Sequence, residues 1–117
     1  MAITPVALFG PVQVANAAAA LYTVPASTKA VITRASITNV TAGAATLTLW
    51  VVRSGGARAN SNIVYGAAAA GQAIAAGPAE PTILNAFAGL VLNAGDAIHG
   101  LSDTATALNI VASGWTQ

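Results

Sequence analysis

Charge is what this sequence has least of: four Lys and Arg and three Asp and Glu in 117 residues, 6% of the chain, against about a quarter in an average globular protein. A freely diffusing monomer keeps a charged surface for solubility, so the deficit predicts a surface packed against other subunits, in a homo-oligomer or a lattice. Cysteine is absent, which excludes disulfide frameworks, thiolate metal sites and cysteine nucleophiles together. The two Trp, two Tyr and two Phe are spread along the chain rather than clustered as a saccharide groove requires. Lys29, Arg34, Arg53 and Arg58 leave a net charge of +1. They are too few and too scattered to neutralise a nucleic-acid backbone, so no nucleic-acid partner is expected and these cations read as rim contacts between subunits.

The mean hydropathy of +0.70 would suit a membrane protein, but no segment does. The longest candidate, Ile63 to Pro78, is mostly Ala and Gly, contains Gln72 and ends in Gly-Pro before enough apolar residues accumulate to span a bilayer. The first cation is Lys29, so no basic region marks a secretory signal. Asn39-Val40-Thr41 fits the glycosylation pattern and is read instead as a strand end.

Catalytic letters are equally sparse. His99, Ser102 and Asp103 have the chemistry of a nucleophilic triad, but within five residues on one strand and its turn their side chains cannot converge. His99 reads as an edge or interface residue. Glu80, Asp96 and Asp103 are the only carboxylates. That is too little for a metal site, and no cofactor is implied. Asp96, beside Gly95, is expected to accept backbone N–H groups in a turn.

What is present in quantity is strand. Leu21 to Arg53 reads as a short strand, a turn at Pro25, a long strand from Lys29 to Val40, a turn over Thr41 to Ala44, and a second long strand. These long strands are expected to pair as a hairpin. Val31, Thr33, Ala35 and Ile37 are its predicted core face, joined by Leu47, Leu49 and Val51. Thr46, Thr48, Trp50 and Val52 form a mixed face that something must cover.

Short strands follow at Ile63 to Tyr65, Thr82 to Phe87, Gly89 to Asn93, Ala97 to Leu101 and Ala107 to Trp115, with a further short one at Gln72 to Ala75. Asn93 to Asp96 is a tight turn joining two of them. Residues 1–20 are expected to be an extended apolar arm and an Ala-rich linker, because Pro5, Gly10 and Pro11 forbid a helix while Ile3, Val6, Leu8 and Phe9 are costly to leave in water. The domain proper is then 21–117. It is predicted to be all-β: a single antiparallel β-sandwich or jelly roll with an extended N-terminal arm.

Two motifs carry a resemblance. Tyr22-Thr23-Val24-Pro25, followed by Ser27-Thr28-x-Ala30-x-Ile32 and a strand ending Ile37-Thr38-Asn39, resembles the opening of a loosely defined group of small tailed-phage virion proteins. Leu90-x-Leu92-x-Ala94-Gly95-Asp96-x-Ile98 resembles the late hairpin of the same group. Ser27 departs from it, standing where the group often has Gly, and Ser54 to Gly89 has no counterpart.

The resemblance implies a structural, non-enzymatic component of a bacteriophage particle, first of all a head decoration or cement protein. Its partners would be the major capsid protein or other virion proteins. The alternative is a tail-associated module binding a receptor or a host saccharide. The residues expected to make inter-subunit contacts are Ile3, Val6, Leu8, Phe9, Trp50, Arg53, Arg58 and Trp115.

Overall fold

A computed structural model describes residues 4–41, 43–66, 72–74, 82–84 and 87–117. They form ten strands: β1 (Thr4–Gln13), β2 (Ala19–Thr23), β3 (Ala30–Asn39), β4 (Ala45–Val52), β5 (Ile63–Tyr65), β6 (Gln72–Ile74), β7 (Thr82–Ile83), β8 (Leu90–Leu92), β9 (Ala97–Ser102) and β10 (Leu108–Thr116). A single 3-10 turn at Asn60–Asn62 accompanies them among the described residues.

All pairings are antiparallel and fall into two sheets. The first runs β1-β10-β3, with β7 and β8 following one another along the free side of β3. The second runs β2-β9-β4, with β5 and β6 sharing the free side of β4 in the same way. The molecule is a β-sandwich, as the strand pattern predicts.

The core lies between the sheets. Ile32, Ala35, Ile37, Leu92, Ile110 and Ala112 of the first sheet face Leu47, Leu49 and Ile98 of the second, all essentially inaccessible to solvent. Phe87, in the connection between β7 and β8, is fully buried with them. At the β1/β2 edge, the Phe9 and Tyr22 rings stack with centroids 5.4 Å apart and bridge the two sheets.

Three expectations are corrected. First, β3 and β4 are not a hairpin, because they belong to different sheets. The segment after Asn39 is a corner, held by a buried side chain. Asn39 Nδ2 donates to the Gly43 and Ile74 carbonyls, while Oδ1 accepts from the Thr41 amide and hydroxyl. The turn at Asn93 to Asp96 likewise carries the chain from β8 in one sheet to β9 in the other.

Second, the inward face of β3 changes phase. Val31 points outward between the buried Ala30 and Ile32, and the inward set resumes at Ala35 and Ile37. The pairing with β10 skips Thr33 between Ile32↔Gly114 and Arg34↔Ser113, a β-bulge that shifts the alternation by one residue. Gly114 permits it: a Cβ there would overlap the Val31 carbonyl.

Third, residues 4–13 are no arm. They are a full edge strand paired with β10 from Thr4↔Thr116 to Gln13↔Asn109, and Leu8 and Phe9 are buried in the domain's own core. The apolar side chains that argue for docking have found their partner sheet within the same chain.

Candidate interaction surface

Each sheet buries one face, and the other face of the first sheet is left to solvent. Residues directly opposite in adjacent strands project to the same side, so the register fixes what lies there. Pro5 pairs with Trp115, Trp115 with Val31, and Val31 with Val91. This is an unbroken apolar row across all four strand positions. Val91 is 45% exposed, and Trp115 and Val31 are half-buried.

A second, looser row runs Val111, Ser36, Ile83, its two hydrophobic members each more than a third exposed. Between the rows lie Ala7, Ser113 and Arg34. Among the described residues two cations lie on this face, Arg34 between the rows and Lys29 at one end, where its backbone pairs with Gln117 beside Trp115↔Val31, and the polar pair Thr38↔Asn109 lies toward the other end.

The second sheet presents a different outer face. Thr48, Trp50 and Val52 are all buried, so the mixed face is covered. The loop after β4 lies against part of it: Arg58 donates from its guanidinium to His99 Nδ1 at 2.7 Å, and His99 pairs across the sheet with Trp50. Burial, together with the neighbouring Arg58 charge, lowers the His99 pKa and keeps the ring neutral, the state that can accept this bond.

Asp96, Arg53 and Asp103 fasten loops. Asp96 is 3% exposed. It accepts the Asn93 amide (2.9 Å), the Ser54 amide (2.9 Å) and the Arg53 guanidinium (2.7 Å). Burial alone would raise its pKa, but the Asn93 amide, Arg53 and the Ser54 amide outweigh it and hold the carboxyl below its ordinary value. The expected turn role for Asp96 is therefore present, extended by a bond to the start of the β4–β5 loop. Asp103 accepts the Thr46 amide at 2.8 Å and thereby links the β9–β10 turn to β4.

The residues expected at subunit contacts separate into groups. Leu8, Phe9 and Trp50 are buried within the domain, and Val6 packs partly against its core. Arg53 and Arg58 are exposed but hold Asp96 and His99. Trp115 lies in the apolar row, while Ile3 lies outside the described residues. His99 is not at an edge, since β9 runs between β2 and β4. It makes no bond to Ser102 or Asp103; Ser102 is fully buried and bonded to Thr104.

Pro5, Val31 and Val91 complete the row around Trp115. Val31 is concealed in the sequence by the bulge, whereas simple alternation across Leu90, Val91 and Leu92 turns Val91 outward.

A shallow cavity of about 300 Å³ lined by Ser27, Thr28, Lys29, Ala94 and Gln117 sits at the loop end of the sandwich. Among the described residues no three metal-ligating side chains come together. The fold and this surface define an antiparallel β-sandwich with an apolar row across one open sheet face. No family model, curated protein or solved structure matches the chain.

Proposed function

We propose that this chain is a non-enzymatic structural protein of a bacteriophage particle, a decoration or cement subunit that joins the capsid through apolar contacts. The observation that carries the reading is the apolar row Pro5, Trp115, Val31 and Val91 left open on the outer face of the first sheet, on a chain whose total charge is already unusually low. Such a surface adds favourable area at a seam between subunits and asks for no catalytic group.

Two further points support it. With β7 and β8 taken as one position and β5 and β6 as another, the two sheets give the eight-position order 1-10-3-(7/8) and 2-9-4-(5/6). We infer from this order a jelly roll, an architecture common in viral shells. The motifs at Tyr22 to Asn39 and Leu90 to Ile98 resemble small tailed-phage virion proteins.

The test is to raise antibody against the chain and probe purified particles by immunogold microscopy and quantitative mass spectrometry. The expected outcome is label over the head, in copy number commensurate with the major capsid protein. Absence from purified particles overturns the reading, and label confined to the tail tip replaces it with the receptor-binding alternative.

A further inference from the structure

We infer that residues 53–62 form a strap over the outer face of the second sheet, latched by the Arg58–His99 bond, and that protonation of His99 releases the strap and bares Trp50. The device belongs to the second sheet and is independent of the particle reading.

The path of the chain makes the strap. β4 has β9 on one side and β5 on the other. The chain leaves β4 at Val52, Arg58 reaches His99 on β9, and β5 begins at Ile63. Residues 58–62, side chain and backbone together, therefore bridge across β4. The bridge falls at Trp50, which pairs with His99 on one side and with Ile63 on the other. Gly56 lies close over the same face, where a Cβ would meet Val52 Cγ1 at 3.9 Å. Trp50 and Val52 are outside the core cluster, yet only 8% and 6% exposed.

Little else holds the middle of the strap. Its start is fixed by the bonds of Arg53 and Ser54 to Asp96, and its end by the β4–β5 pairing. Residues 55–61 are exposed and have no side chain more apolar than alanine. Other bonds here stay within the loop: the Gly56 amide to the Arg53 carbonyl, the Asn62 amide to the Ala59 carbonyl, and Asn62 Nδ2 to the Ala57 carbonyl. Among the described residues, Arg58–His99 is the bond that ties 55–61 to a sheet.

That bond needs a neutral ring. Arginine stays charged and only donates, so Nδ1 must offer its lone pair. A protonated ring has none and sets a second cation 2.7 Å from the guanidinium. No described countercharge faces it: the cross-strand neighbours are Ala20 on β2 and Trp50 on β4, and Ala97 and Leu101 follow it on the same face of β9. Asp96, near the start of β9, is taken up by Arg53 and two amides. With the strap lifted the ring titrates toward its ordinary 6.5, and with it latched below that. Closure is thus strongest above the open value and weakens about tenfold for each pH unit from there down to the closed one. His99 is the chain's single histidine, and Asp96 and Asp103 titrate below 3.8.

The experiment is acrylamide quenching of Trp50 fluorescence at about pH 7.5 and about pH 5, a window that spans histidine titration. It is run in a Trp115→Phe background, alone and combined with His99→Asn or Arg58→Ala. Asparagine offers an acceptor near the place of Nδ1 and cannot be protonated there. If Trp115→Phe does not fold, the Trp50 indole NMR signal and a soluble paramagnetic probe read the same access without that substitution. The expected result is quenching that rises about twofold or more on acidification with native histidine, stays low at both pH values in His99→Asn, and is high at both in Arg58→Ala. Circular dichroism should show the sandwich intact throughout. Quenching that ignores pH overturns the inference, as does a rise that persists in His99→Asn, an Arg58→Ala chain as protected as its parent at neutral pH, or a rise that accompanies loss of β-structure.

Discussion

Asp96 shows how much a single side chain holds here. Its two oxygens tie the Asn93 turn together with Arg53 and Ser54, the first two residues of the β4–β5 loop. Arg53 is 57% exposed, so water compensates much of that pair, and the larger loss on truncation is the two amide acceptors. Asp96→Ala is expected to cost about 1 to 3 kcal/mol in chemical denaturation. The pH dependence follows from its lowered pKa. An unfolded Asp titrates near 3.8 and the folded one below that, so the stabilisation is complete above the unfolded value and is lost as pH falls through the folded one. Asp96→Asn should flatten the acid limb of stability below about pH 4. His99 works in the same direction at higher pH. Its folded pKa lies below 6.5, so acidification from neutrality favours the unfolded, protonated ring. Arg58→Ala removes one cause of that depression, and the His99 titration followed by NMR should move upward.

At the scale of elements, strand positions and most facing directions were legible in the sequence, because alternation of apolar and polar residues reports directly on the pleat. Leu47, Leu49 and Val51 face the core as their spacing requires. Alternation does not say which sheet a strand joins. A turn that reverses direction within a sheet and a corner that passes between sheets have similar small, polar residues, and here the difference rests on the four bonds of Asn39. The bulge at Thr33 was hidden for a related reason, since its cause lies in Gly114, some eighty positions away. Gly114→Ala would drive a methyl group into the Val31 carbonyl and is expected to cost about 3 kcal/mol or to shift the register. Thermal unfolding of the variant measures the first, and amide exchange along β10 the second. β1 permits a sharper check. Deletion of residues 2–9 removes Leu8 and Phe9 from the core and leaves half of β10 unpaired on the side away from β3, so the truncated chain should lose its cooperative unfolding transition. A well-folded truncation product would mean that the core can close without β1.

At the scale of the whole molecule, β10 lies between β1 and β3, and β9 between β2 and β4. The two strands that complete the centres of both sheets therefore follow the other eight in chain order. During synthesis, β1 to β4 leave the ribosome with no completed sheet to enter, and β3 and β4 must wait for central partners that lie far downstream, from Val52↔Ala97 at the nearest to Ala30↔Thr116 at the farthest. Closure of the sandwich thus waits for β9 and β10 rather than proceeding strand by strand, and the dominance of distant pairings places it in the slow range, roughly milliseconds to seconds. Nascent chains stalled before Ala97 should remain protease-sensitive throughout, and those released past Thr116 should become resistant in one step. Until then the chain is a long, nearly uncharged apolar polymer, and its yield in the cell depends on how well that interval is protected.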